Sequence, residues 1–294
     1  MCTQIFNTFG KISEPMRTPL LIKKASGEME PFSSEKLKRS LQRSGAADML
    51  IDSILRDIDS WIYDGISSRK IYDRAFSLLR KKTLGTAARY KLKRAIMEMG
   101  PTGHPFEHFM GQVFKRQGYN IEVAQVIQGH CVTHEVDVIT TRDFNQTFVE
   151  CKFYLSQDKN ANVQVPLYIR SRVDDIIKYR KDLPKFAGYT FFGGVVTNTR
   201  FTSDATAYGE CSGLKLLSWD YPYGNGLKDI IDRERIFPVT ALTRLTTPDK
   251  QKLMEQGVVI CSQIFEQPAL LDILALDSVK RQKVMEEIQA LAEE

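Results

Sequence analysis

Apolar and polar positions along the chain follow two different periods, and the changes of period mark out its parts. Residues 1–18 are polar with scattered apolar side chains and read as a flexible arm. Residues 19–100 open with a small hairpin. Leu20-Leu21-Ile22 forms a short strand, Ser26-Gly27-Glu28 a turn, and Met29-Glu30-Pro31-Phe32 a second extended piece. Ser33 or Ser34 then caps a helix whose first turn holds Glu35 and whose Leu37 and Leu41 sit four apart. Helical spacing continues through Met49, Ile51, Ile54, Leu55, Ile58 and Ile62, and again through Ile71, Ala75, Leu78 and Leu79. A last helix is expected from Ala87 to Met99, so this part reads as a hairpin with a helical bundle, ending at Gly100-Pro101.

The period then alternates. Pro105 is placed to start a helix with Phe106, Phe109, Met110, Val113 and Phe114 on one face, and Gly118 ends it. Extended segments follow at Asn120–Ile127, Glu135–Thr140 and Thr147–Phe153, then a helix at Val163–Tyr179 and a strongly apolar strand at Tyr189–Thr197. Helix, strand and helix are expected near 203–211, 214–219 and 226–233, with a break at Pro238. The α-β-β-β-α-β order of 101–238 makes the chain a multi-domain α/β protein, and 239–294 reads as a small all-helical module.

Composition fits this reading. The chain has 294 residues, 43% of them hydrophobic and 26% charged, as in an ordered globular protein with two or three domains. The net charge of +5 is unevenly spread: +8 over 1–100, zero over 101–238 and −3 over 239–294. The basic head makes nucleic acid a plausible partner. No run of about 18 apolar residues occurs, which excludes a helical membrane span. Met1-Cys2-Thr3-Gln4-Ile5-Phe6-Asn7 has neither the basic nor the long apolar region of a secretory signal, and a cytoplasmic protein is expected. The five cysteines are scattered, odd in number and never in a C-x-x-C pair, which argues against a disulfide framework or a zinc ribbon.

The chemistry concentrates in residues 107–152. Glu150 and Lys152 alternate along one strand and therefore share a face, with Val149, Cys151 and Phe153 on the other. Asp137 ends a neighbouring strand and can reach the same point, and Glu107 lies on the preceding helix. Carboxylates this close repel unless a proton or cation stands between them, and oxygen ligands of this kind suit Mg²⁺ or Mn²⁺. A lysine beside them can stabilise charge on a phosphorane-like transition state. The competing reading of Glu-x-Lys on a strand is a cross-face ion pair.

A helix with Glu107, Gly118-Tyr119, a strand, Asp137, and a strand closing on Glu150-Cys151-Lys152 resembles the PD-(D/E)xK nucleases, and within them the Mrr-like restriction endonucleases, over about 101–238. The resemblance implies metal ligands at Asp137 and Glu150, a catalytic lysine at Lys152 and an accessory carboxylate at Glu107. It also implies a DNA substrate and a role in defence. The approach to Asp137 reads Gly129-His130-Cys131-Val132-Thr133-His134-Glu135, where the family usually has glycine and aspartate. Downstream, Arg170, Arg172 and Lys178, with Tyr168, Arg180 and Lys181, are candidates for DNA phosphates; the alternative is a solvated helix face.

A second resemblance covers about 20–100. Ile22-Lys23-Lys24, Gly27, Glu30-Pro31-Phe32, Glu35-Lys36-Leu37 and Ala88-Arg89-Tyr90 look like an ATP-cone, a regulatory nucleotide-binding domain. By that analogy Lys23, Lys24 and Lys36 contact ATP or dATP. No P-loop or G-x-G-x-x-G occurs, so any nucleotide binds outside a P-loop. His104-Pro105-Phe106-Glu107-His108 matches the inverted zinc-protease pattern H-x-x-E-H, but no third ligand stands on a following helix. The last part weakly resembles a helix-hairpin-helix module through Leu242, Leu245, Leu253 and Gly257-Val258, and its charge favours packing or oligomerisation. The expectation is a Mg²⁺-dependent endonuclease regulated by ATP or dATP, as a dimer or tetramer, with an RNA-directed nuclease inseparable by sequence. The alternative is a nucleotide-sensing DNA-binding regulator whose nuclease fold no longer cuts.

Overall fold

The computed structural model describes residues 20–24 and 26–293; the arm expected over 1–18 lies outside them. The first unit contains β1 (Leu21–Lys23), β2 (Met29–Pro31), α1 (Ser34–Arg43), α2 (Asp48–Trp61), β3 (Ile66–Ser67), α3 (Ser68–Lys82), α4 (Leu84–Tyr90) and α5 (Leu92–Met97). The expected hairpin is present, and Ser33 caps α1 by accepting the Lys36 N–H at 3.2 Å. The two-residue β3, parallel to β1 through Ile22↔Ile66, has no hydrophobic period of its own and was not anticipated.

The helix expected over 87–99 is instead two short helices meeting at Lys91. The reason lies in packing. Ala87 belongs to the core shared by β1 and α1–α3, whereas Ala88, Leu92, Ala95, Ile96 and Met99 belong to a second core. Breaking the helix lets one apolar run serve both.

That second core is continuous from residue 88 to residue 291, because the C-terminal helices contribute to it. The central unit runs α6 (His104–Arg116), β4 (Asn120–Gln128), β5 (Thr133–Arg142), β6 (Asn145–Lys152), β7 (Asn160–Ala161), α7 (Gln164–Arg180), β8 (Thr190–Thr197), β9 (Arg200–Phe201), α8 (Ser203–Cys211), β10 (Lys215–Leu217) and α9 (Leu227–Glu234). Its main sheet has the order β10-β8-β6-β5-β4. The pairs β4–β5 and β5–β6 are antiparallel, whereas β6–β8 and β8–β10 are parallel. α7 covers one face with Ile169, Val173 and Ile176 against Phe148 and Val195. α6 covers the other with Phe106, Phe109 and Met110 against Val149 and Cys151. α6 approaches β4 so closely at Gly111 that a Cβ there would stand 2.8 Å from the Val123 side chain.

The remainder holds α10 (Thr247–Glu255), α11 (Cys261–Glu266) and α12 (Ser278–Glu293), with short 3₁₀ turns between. Its junction with α5 is polar and buried. The Thr240 hydroxyl donates to Ala95 O at 2.7 Å, and Lys91 and Lys250 both donate to Thr240 O, at 3.2 and 3.0 Å. Glu287, fully buried, accepts the Thr243 and Arg244 backbone N–H groups. Burial first, and then the neighbouring Lys91 charge, push the Lys250 ammonium down to about 8.

A lysine with a lowered pKa in the folded state binds its proton more weakly there than in the unfolded chain, so stability rises with pH between about 8 and the ordinary lysine value. Lys250→Met is therefore expected to stabilise the protein at pH 7 by about 1 kcal/mol, with Lys91 still serving Thr240 O. That gain should shrink by pH 10, as read from denaturant midpoints of the two proteins.

Candidate active site

The site forms where strand order fails. β5 pairs with β4 at Val123↔Val138 and Gln125↔Val136, skipping Asp137, and its ladder with β6 begins only at Val138↔Val149. Ala124, the residue that would oppose Asp137, has φ +52, a left-handed conformation that a Cβ disfavours. Val138 packs on the α6 side of the sheet and Val136 on the α7 side. Residues two apart on a strand normally share a face, so β5 turns over at Asp137. In place of a ladder bond, Asp137 Oδ2 accepts the Cys151 N–H at 2.6 Å.

Glu150, directly across β6, is held from α7. Tyr168 donates its hydroxyl to Glu150 Oε1 at 2.6 Å, and Arg172 Nη1 donates to Oε2 at 2.8 Å. Arg172 also donates to Glu135 O at 3.0 Å, and its guanidinium lies 5.4 Å from the Tyr168 ring centroid. Burial and the bond to Glu150 hold the Tyr168 phenol well above its ordinary value, so it remains a donor. Glu107 enters from α6, with His104 Nδ1 at 3.2 Å from its carboxylate.

Three carboxylates thus influence one another. Asp137 is pushed up to about 7, by burial first, then by the Glu150 charge and further by Glu107; the Cys151 N–H and Arg172 pull the other way. Glu107 is raised too, chiefly by burial. Cys151 is fully buried and its thiol is raised well above the ordinary value, so it is an inert packing residue. Lys152 follows on the Glu150 face, half-buried, with no salt bridge or side-chain hydrogen bond to any described residue. Among the described residues no three His, Cys, Asp or Glu side chains are grouped to hold a metal ion by themselves. Mg²⁺ commonly uses only one or two carboxylates and keeps several waters, so Asp137 and Glu150 suit it as hard oxygen donors.

The approach loop is fastened to α7. Asp175 accepts the Cys131 N–H at 2.8 Å and lies 2.7 Å from His134 Nε2; that contact first, with the backbone N–H groups, holds its carboxyl well below the ordinary range. Gly129 fits only because it lacks a side chain, since a Cβ would stand 2.2 Å from Asp175 Oδ2.

The structure thus draws together Glu107, Asp137 and Glu150, with Lys152 beside Glu150. It separates the other expected residues. Arg172, expected to meet DNA phosphates, is occupied by Glu150, and Arg170 by Asp174 and Ser212 O. Lys178 is exposed. Lys24 and Lys36 converge on the Glu30 carboxylate, at 2.9 and 3.6 Å, while Lys23 lies exposed on β1. The clamp on Glu150 carried one sequence signal, the four-residue spacing of Tyr168 and Arg172 on a helix. The left-handed Ala124 and the Asp175 clip carried none.

Comparison with known proteins agrees with the central unit. Residues 99–220 match a family model described as restriction endonuclease, the Mrr catalytic domain, and residues 237–292 match one described as AF1548-like, C-terminal. An uncharacterized protein of Archaeoglobus fulgidus is 27% identical over 155 residues, which span 53% of this chain and 83% of that one. A crystal structure of the protein of unknown function AF1548 shares the fold, with a TM-score of 0.54 at 24% identity, covering 66% of this chain and all of that one. MspJI restriction endonuclease in complex with a 27-mer oligonucleotide is more distant, with a TM-score of 0.29 at 14% identity, covering 68% of this chain and 41% of that one. Residues 99–220 accordingly form a mixed α/β core that is similar to the restriction endonuclease family model. Among the described residues no helix is long and apolar enough to cross a membrane.

A raised carboxyl pKa means that the folded state loses stability as pH climbs from the unfolded value through about 7. Asp137→Asn keeps an acceptor for the Cys151 N–H and removes the repelling charge. In metal-free buffer its stability relative to wild type is expected to be about 2 to 3 kcal/mol greater at pH 8 than at pH 5, in parallel denaturant titrations.

Proposed function

We propose that the protein is a divalent-metal-dependent DNA endonuclease of the restriction type. The observation that carries this reading is the cluster at the break in β5. Asp137 is pressed by the charges of Glu150 and Glu107, and a lysine with no counter-ion among the described residues follows on the Glu150 face. Structural ion pairs do not gather charge in this way, because like carboxylates raise one another's energy unless a cation or proton compensates.

Asp137 and Glu150 would hold Mg²⁺ or Mn²⁺, which when bound lowers the pKa of a coordinated water and polarises phosphate oxygens. Tyr168 and Arg172 keep the Glu150 carboxylate in one orientation. The Cys151 N–H does the same for Asp137 and leaves its second oxygen available. Lys152 supplies a fixed positive charge for the extra negative charge of a pentacovalent phosphorus. Glu107, whose carboxyl burial holds above its ordinary value, is the group placed on α6 to accept or return a proton.

Regulation by ATP or dATP is proposed for the first unit. Its support is that Lys24 and Lys36 turn toward one anionic group, Glu30, with which a triphosphate would compete for the two ammonium groups. The second reading, a DNA-binding regulator that does not cut, draws on the Arg172–Glu150 ion pair, which occupies a ligand oxygen.

The readings separate in one set of assays. Plasmid DNA incubated with the protein and Mg²⁺ should be cut. Lys152→Ala should lower the rate by at least about a hundredfold, the loss expected for one charge-stabilising group. Equal cutting by wild type and Lys152→Ala, or cutting that persists in chelator, sinks the catalytic assignment. Mg²⁺ should raise the melting temperature of wild type but not of Asp137→Asn; a binding-only domain shows no such difference. ATP or dATP should change the rate, and Lys24→Ala with Lys36→Ala should remove that response.

A further inference from the structure

Away from the carboxylates, helices of the first unit and α9 border a cleft of about 420 Å³. α1 contributes Lys36, Arg39 and Arg43. Spaced three and four apart, they form a row on one helix face, about 10 Å from first to last. α4, α5 and α9 add Arg89, Lys93 and Lys228, and the one carboxylate among the lining residues is Asp232.

Compensation is uneven: Lys36 is paired with Glu30, and Arg89 donates to Ser44 O and feels the Asp232 charge. Arg43 and Lys228 make no salt bridge or side-chain hydrogen bond to any described residue, and Arg39 is paired only with Glu35 of its own helix. Lys93 lies over the Trp219 ring at 5.8 Å. Burial first, then the like charges of Arg200 and Lys228, push it below the ordinary lysine value, while Asp220 opposes them. Burial raises Asp232 to about 6 against the pull of Arg89 and Lys228, so it stays mostly ionised at neutral pH as the one carboxylate lining the cleft.

The cleft's position is as informative as its charge. β6, β8 and β10 are parallel, so their C-terminal ends share one edge of the sheet. Lys152 ends β6 opposite Thr197, and Trp219, which lines the cleft just beyond β10, donates its N–H to Thr199 O at 3.0 Å. Their backbones thus lie two strand spacings apart along that edge, about 10 Å, with the Trp219 side chain packed on the α6 side of the sheet and Lys152 on the α7 side. In open α/β sheets this edge is where ligands bind.

We propose that the cleft anchors the sugar–phosphate backbone of the nucleic acid whose scissile phosphate lies at Asp137, Glu150 and Lys152. The inference rests on the nuclease reading and adds a second, sequence-independent foothold to it.

The test is the salt dependence of duplex binding, measured without divalent metal in the Lys152→Ala background. Each phosphate contact contributes about 0.9 to the slope of log K against log salt, so adding Arg43→Ala with Lys228→Ala should lower the slope by about 1.8. The same charge removed elsewhere, in Lys252→Ala with Lys283→Ala on α10 and α12, should leave it unchanged. An unchanged slope in the cleft variant, or an equal fall in the control, overturns the anchor; plasmid cutting by wild type then shows that the nuclease reading survives. A cleft variant that loses binding of inorganic tripolyphosphate but keeps the duplex slope overturns it in favour of a small polyphosphate ligand. Wild type that neither binds nor cuts duplex overturns both, whereas binding with the expected slope change but no cutting upholds the anchor alone.

Discussion

The repulsion among Asp137, Glu150 and Glu107 is the constraint around which the central unit is arranged. A folded chain tolerates such a cluster only when other parts of the fold hold it in place. Three elements do so here. β6 lends the Cys151 N–H to Asp137, α7 grips Glu150 through Tyr168 and Arg172, and α6 brings Glu107 from the opposite side of the sheet. Local backbone strain at Ala124 accompanies the arrangement, since an undisturbed ladder would have turned Asp137 to follow the alternation of Val138 and Ile139.

Cations in this protein have two distinct uses, and surroundings rather than residue type decide between them. Arg172 sits among carboxylates, and its planar fork reaches both Glu150 and the Glu135 carbonyl. Arg43 and Lys228 face other cations across a cleft and find no salt bridge. The first kind fixes geometry. The second kind is charge held without a counter-ion among the described residues, and its field favours anions near that edge of the sheet.

The continuous core from residue 88 to residue 291 ties the C-terminal helices to the same frame. α6 is part of that core, and Phe106 meets Phe153, just past Lys152, with ring centroids 5.6 Å apart. The orientation of Glu107 and the end of β6 are therefore set by packing that includes residues more than a hundred positions downstream. Buried Glu287 and Lys250 belong to this bracing: one serves the Thr243 and Arg244 N–H groups and the other the Thr240 carbonyl.

The order of elements in the central unit, and the nearness of Glu107, Asp137 and Glu150 to the end of β6, were legible in the amino-acid sequence. Period-two alternation places Glu150 and Lys152 on one face whatever surrounds them, and Pro105 and Gly118 bound a helix by local backbone preference. What the sequence left open depends on contacts between distant residues. The two-residue strands β3, β7 and β9 exist only through their partners, and the helix over 87–99 divides because two separate cores claim its apolar face. The capture of Arg172 by Glu150, the clip of Asp175 on the approach loop and the row of cations facing α9 are likewise tertiary outcomes. Local propensity acts over a few residues, whereas the partner of a charge is whichever group the fold brings within a few ångströms, and no spacing along the chain encodes that distance.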